Sequence, residues 1–205
     1  MARLALNKSA LSREREQLRN FERFLPSLDL KRRQLIAERE QARAQLARTG
    51  QALQTLQRET AETLPMLASG QLELDGLVRV DAVDLGRENR LGTLLPTLRQ
   101  VRVKTRAYSL LARPHWVDRL AERLAERLEL QIRLQVEARR VELLERAVQL
   151  ITQRVNLFDK VLIPRARNNI RRLQVHLADA ERAAVIRAKL AKKSRASADR
   201  TGALQ

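Results

Sequence analysis

One series at seven-residue spacing constrains this chain more than any other feature: Leu134, Val141, Val148, Val155, Leu162, Asn169, His176, Ala183, Leu190. Beside it runs a second line, Leu144, Ile151 and Phe158, which slips by one residue and resumes at Ala166, Leu173 and Ala180. The two lines step alternately by three and four residues. Such a repeat keeps one narrow apolar stripe on a helix, the a/d seam of a coiled coil. No glycine interrupts residues 114–193. At about 1.5 Å per residue, that stretch makes a helix on the order of 115 Å long. So long a helix cannot cover its own stripe, and a second helix must lie along it.

Residues 4–64 supply the partner. Leu11, Leu18 and Leu25 are seven apart, as are Leu28, Leu35 and Ala42. From Ala42 the steps alternate through Leu46, Thr49, Leu53, Leu56 and Thr60 to Leu64. The seam is therefore assigned to Leu11, Leu18, Leu35, Leu46 and Leu53 on the first helix. On the second it is assigned to Leu134, Val141, Val148, Val155, Leu162 and His176. Ser9 and Ser12 are local capping candidates. Pro26 lies inside the pattern and is expected to kink or split the helix, at about 3 kcal/mol for an interior proline. Gly50 is tolerated at about 1 kcal/mol relative to alanine. The helix should end near Pro65.

Residues 65–113 differ in kind. Gly70, Gly76, Gly86 and Gly92 fall here, with Pro65 and Pro96. Val78–Leu85 alternates apolar and polar, and Leu98–Lys104 does the same, as strands with one covered face do. Between them, Gly86–Gly92 has turn chemistry. The segment is a short β-hairpin or small head at the closed end of a helical hairpin. The blander alternative is an ordered loop that only reverses the chain. Pro114 suits the first turn of the next helix, where its missing N–H costs nothing. Asp118 follows near the positive helix end. Leu120, Leu124, Leu128 and Leu130 give a broader apolar face, expected to pack on the head and on the first helix. The fold class is thus mainly α: a long two-helix antiparallel coiled coil (4–64 and 114–193), with a small β-hairpin or irregular head (65–113) between the helices. A Ser/Ala/Gly-bearing tail, 194–205, is expected to fray.

Composition agrees. Of 205 residues, 44% are hydrophobic but only 2% aromatic, so the apolar content is mostly Leu, Ala and Val, as in long helices. With no cysteine there is no disulfide, thiolate metal site or cysteine nucleophile, and two histidines cannot build a His-rich site. No apolar run approaches the roughly 20 residues of a membrane span. Met1–Lys8 turns charged too early for a secretory signal. A soluble, intracellular protein without direct membrane insertion is the expectation.

The net charge of +17 is uneven. Residues 1–33 hold nine Lys/Arg and four Asp/Glu, and residues 161–205 hold eleven and three. Antiparallel pairing brings these two segments together. The cations then form one patch, for which Arg13, Arg15, Arg19, Arg165, Arg167, Arg171, Arg172, Arg182, Arg187 and Lys189 are the candidates. A basic patch fits nucleic acid, a membrane surface or an acidic protein socket. Motifs of catalysis are missing: no phosphate loop, no Gly-x-Gly-x-x-Gly, no His-Glu-x-x-His, no Gly-x-Ser-x-Gly. His176 falls in the heptad series and is assigned to the seam. Asn169, one heptad earlier, either sets register or faces solvent. His115 beside Trp116 is assigned to packing at a helix start.

The segment Arg154-Val-Asn-Leu-Phe-Asp-Lys-Val-Leu-Ile-Pro164-Arg-Ala-Arg-Asn-Asn-Ile170, followed by Leu177 through Lys189 with its Glu181-Arg182 pair, resembles the D subunit of the V/A-type rotary ATPases. Asn7-Lys8-Ser9-Ala10-Leu11 resembles that family's Thr-Lys-Ser-Ala-Leu. The resemblance covers both long helices, and Ile163-Pro164-Arg165 within a heptad helix is its most specific part. It implies a two-helix coiled coil with a small central hairpin, acting as a central-stalk rotor without a catalytic site or cofactor of its own. It further implies a shaft turning within a hexamer of catalytic and regulatory subunits. The F subunit of the stalk would bind alongside, and a funnel-shaped subunit would hold the shaft above a membrane ring that passes H⁺ or Na⁺. From the placement of charge, the basic residues named above are expected to face the hexamer. Such a protein is cytoplasmic and peripheral to the membrane.

Two other readings compete. A nucleic-acid-binding coiled coil suits a pI near 11.5. Against it, base recognition leans on aromatic, Asn or Gln groups on a defined module, and this chain has few aromatics. A generic scaffold hairpin is the third reading, and it carries no ATPase phenotype.

Overall fold

The computed structural model describes residues 5–65, 76–107 and 116–202, with side chains as far as Lys193. The protein is mainly α: α1 (Lys8–Thr63), β1 (Val78–Arg90), β2 (Thr93–Thr105), α2 (Trp116–Leu157), a π-helical turn (Phe158–Leu162) and α3 (Ile163–Gly202). Two compact units share these elements. The first holds residues 1–30 and 152–205, the second residues 31–151.

In the first unit, α1 starts behind an Asn cap rather than at Ser9 or Ser12. The N–H of Ala10 donates to Asn7 Oδ1 at 2.8 Å, and the Ser9 hydroxyl donates to the same oxygen at 2.9 Å. That satisfies a donor the first turn would otherwise leave open. Antiparallel pairing of α1 with the C-terminal segment follows from three contacts. Phe21 and Phe158 meet edge to face at 5.4 Å between ring centroids. Arg167 donates to Glu22 at 2.8 Å, and Asn169 Nδ2 donates to Glu14 at 3.3 Å.

Pro26 does not split the helix: α1 is continuous through it. Pro26 and Glu22 are both exposed, so the carbonyl of Glu22 that loses its donor lies on the solvent side. The seam keeps its phase across the proline: Leu18, Phe21, Leu25 and Leu28 are all half-buried.

The second helix corrects the sequence reading at one place. Val155 is buried, but the next buried residue of its line is Ile163, not Leu162. Ala166 and Leu173 are buried, and Ile170 and Leu177 are half-buried. His176, Ala180, Ala183 and Leu190 are exposed rather than packed against the described part of α1. The cause is the π turn. Its i→i+5 bond, Ile163 N–H to Phe158 O, accommodates one extra residue. It comes directly before Pro164, which has no N–H to donate and whose ring would press on the carbonyl four residues back in a regular α-helix. Both seam lines therefore slip together.

α3 continues through Ser194 to Gly202, so residues expected to fray carry helical backbone. That run holds no proline, and its only glycine ends the helix.

In the second unit, α1 and α2 again run antiparallel. Arg43 pairs with Glu145, Gly50 faces Leu134, and Arg123 approaches Glu59. Leu35, Ala42, Thr49 and Leu56 are buried on α1, and Val141, Leu144, Val148 and Ile151 on α2. Leu46, Leu53 and Leu134 are half-buried flanks. At the end of α1, Leu64 joins Leu77, Val117, Leu120 and Ala121 in one apolar cluster, against which Val78, Trp116 and Leu124 pack. Pro114, His115 and Gly70 lie outside the described residues.

The hairpin is longer than its alternation suggests. Both strands have 13 residues and pair from Val78↔Thr105 to Arg90↔Thr93. Gly86–Arg90, expected in a turn, belong to β1. The turn is only Leu91-Gly92, with φ of 53° and 80°. Positive φ at both positions is the two-residue type I′ geometry, whose handedness matches strand twist. The Gly92 N–H also donates to Asn89 Oδ1 at 2.9 Å. Two register shifts, at Val80/Ala82 and Asp84/Leu85, leave Asp81 and Arg99 without a direct partner. Bulges of this kind reset the in/out alternation, which is why the pattern read from the sequence stops short.

Candidate functional site

All ten predicted cations lie in the first unit, and all ten are exposed. That unit contains nineteen Lys/Arg against eight Asp/Glu. The elements place the cations in two groups. Arg13, Arg15 and Arg19 on α1 and Arg165, Arg167, Arg171 and Arg172 on α3 lie where the two helices pair. Arg182, Arg187 and Lys189 lie farther along α3, where every residue from Asp179 to Lys193 is exposed.

Few of these charges are used internally. Arg167 pairs with Glu22 at 2.8 Å and Arg182 with Asp179 at 3.5 Å. Arg187 Nε donates to its own helix, at Ala183 O. Among the described residues, Arg13, Arg15, Arg19, Arg165, Arg171, Arg172 and Lys189 make no ion pair or hydrogen bond. A guanidinium presents five donors in a planar fork. Six unpaired forks on two adjacent helices form a surface suited to carboxylates or phosphates.

The exposed length of α3 adds apolar side chains to this surface. Val185, Ile186 and Leu190 are more than half exposed, interleaved with Arg187, Lys189, Lys192 and Lys193. Lys192 and Lys193 were missed in the sequence reading, although they continue the same basic run. A helix that is exposed all round yet carries large aliphatic groups offers an edge for a partner. Asn169 is half-buried and bonded to Glu14, so it flanks the seam rather than facing open solvent.

Among the described residues, no group of three or more His, Cys, Asp or Glu is arranged to hold a metal ion. None of their helices is long and apolar enough to cross a membrane.

The fold and the site define a class: an antiparallel two-helix coiled-coil protein with an inserted β-hairpin and a largely unpaired cationic surface on its terminal segments. The chain belongs to the ATP synthase D subunit family, whose model matches residues 10–193. It is 30% identical over 194 residues to the V-type ATP synthase D subunit of Borreliella burgdorferi, covering 95% of this chain and 96% of that protein. It is 30% identical over 195 residues to the V-type ATP synthase D subunit of Chlamydia caviae, covering 94% and 93% respectively.

Proposed function

We propose that this chain is the central-stalk rotor subunit of a V/A-type rotary ATPase or ATP synthase. It couples ion translocation by a membrane ring to ATP synthesis or hydrolysis in a catalytic hexamer by rotating within that hexamer. Its own residues carry out no bond chemistry. The family match over residues 10–193, with relatives covered nearly end to end, is the observation that carries this reading. The exposed, unpaired arginines of the first unit support placing that unit inside the hexamer. Cations distributed over two helix faces make many similar, screened contacts with an acidic sleeve. Such contacts suit a surface that must slide past successive subunits. The F subunit of the stalk, the funnel-shaped subunit and the cytoplasmic, membrane-peripheral location belong to the same proposal.

The test is reconstitution with the purified hexamer. Replacing Arg165, Arg171 and Arg172 together by Gln should weaken hexamer binding at least tenfold at low salt and flatten its dependence on NaCl. Unchanged affinity and unchanged salt dependence would reject this surface as the hexamer-facing one. The cationic surface also keeps nucleic acid in view as a partner. Retention by nucleic acid in physiological salt, with no retention by the hexamer, would favour that reading instead.

A further inference from the structure

We propose that the far half of the β-hairpin is a strap, hinged at its apolar base and latched to the helices through Glu88. Its two ends are seated differently. At the base, Leu77 is buried with Leu64, Val117, Leu120 and Ala121, and the Arg106 N–H closes on Leu77 O at 2.8 Å. Toward the turn, the seat is one fully buried side chain, Leu95, and a chain of charges.

Glu88 is the hub of that chain. Its Oε2 accepts from Arg140 of α2 at 3.2 Å, and its Oε1 takes Arg90 of its own strand. Arg90 in turn approaches Glu38 of α1 at 3.8 Å. Glu88 thus ties the strap directly to α2 and, by holding Arg90, indirectly to Glu38 of α1. Behind it lies a cavity of about 430 Å³ lined mostly by polar groups, among them Gln41, Gln45, Arg133 and Glu137. Glu137, whose Oε2 has no hydrogen-bond partner among the described residues, is one of its lining groups. Charges about one-third exposed are screened by salt. The far half of the hairpin therefore lifts as a unit when the Glu88 hub is lost or screened, while the base stays packed.

The chain has no cysteine, so two introduced ones report without background. Spin labels at L94C on the hairpin and A37C on α1, both exposed sites, measure the seat by pulsed dipolar spectroscopy on the full chain. A single short distance is expected in low salt. E88Q, or 0.5 M NaCl (on the order of a 4 Å screening length), should add a second, longer distance, with circular dichroism unchanged. D81N removes a salt bridge of the same kind inside the hairpin, to Lys104, and should leave the distance single. A single distance in E88Q overturns the latch. The same second distance in D81N also overturns it, because it would then report general loosening of the hairpin.

Discussion

Leu173→Ala tests the seam register most directly. Leu173 is fully buried in the first unit, and His176, one turn on, is exposed. The substitution removes three carbon groups, worth about 0.8 kcal/mol each when buried, or about 2.4 kcal/mol of transfer free energy. The space left between two helices collapses only in part, which raises the loss to about 3 kcal/mol, inside the usual range of about 2–5. In a chain of this size each kcal/mol lowers the melting temperature by roughly 2–4 °C, so a fall of about 6–12 °C is expected. His176→Ala should stay within about 0.5 kcal/mol, as exposed substitutions do. Urea and thermal unfolding followed by circular dichroism at 222 nm measure both variants. An uninterrupted heptad through Leu162, Asn169 and His176 demands the reverse order. A loss at His176 equal to that at Leu173 would refute the slipped seam.

Two further outcomes follow from the second unit. A Cβ built at Gly50 would meet Leu134 Cδ1 at 3.7 Å, an ordinary contact. Gly50→Ala should therefore stabilise by about 1 kcal/mol through helix propensity alone, measured as a shift in urea midpoint at constant slope. The carboxyls of Asp81 and Glu142 are held below the usual range, chiefly by hydrogen bonds from Lys104 and Arg139. Burial opposes this, and the charges of Lys104, Arg102 and Arg79 at Asp81, and of Arg139 and Arg146 at Glu142, add to it. A depressed folded pKa stabilises above the unfolded value, about 4 for these groups. That stability is lost as pH falls through the folded value. Carbon-detected NMR should find each group titrating below its ordinary carboxyl value, and D81N/E142Q should flatten the acid limb of the stability curve.

How much of this was legible in the sequence depended on whether the signal was periodic. The α1 stripe could be read residue by residue from Leu11 to Thr60 because its steps of three and four hold that far, across Pro26 included. In the second helix, the line from Leu144 to Leu173 displayed the slip. The parallel line from Val155 hid it, because Leu162 offered an aliphatic side chain at the wrong position. Only the π turn separates Leu162 from Ile163, and heptad counting has no term for it. The hairpin was visible but shortened, since its two bulges scramble a period-two pattern. The cations of the candidate surface were legible as composition. The Glu88–Arg140 and Arg90–Glu38 contacts were not, because they join residues 52 positions apart in both cases and leave no local trace.

The π turn and the cationic surface are one feature seen twice. Continuing the steps of three and four beyond Val155 without a slip puts Phe158, Leu162, Arg165, Asn169, Arg172 and His176 on the seam. Two unpaired guanidiniums would then be pressed against α1, and a charge buried without a partner is among the most costly events in folding. One inserted residue turns α3 by about 100°. Ile163, Ala166, Ile170, Leu173 and Leu177 take those places instead, and Arg165 and Arg172 turn outward. Burying an apolar seam and exposing a row of arginines are therefore the same event at Phe158–Leu162. Deleting Val161 while replacing Pro164 by Ala should preserve both, because the shortened helix needs no π turn to reach Ile163 in phase. Inserting a residue after Gln174, past the turn, should displace Leu177 from the seam and leave Arg165 and Arg172 where they are. Thermal unfolding of the two variants separates them: the deletion should melt near the parent chain, and the insertion below it. A deletion variant that melts lower than the insertion would break the link between the turn and the seam.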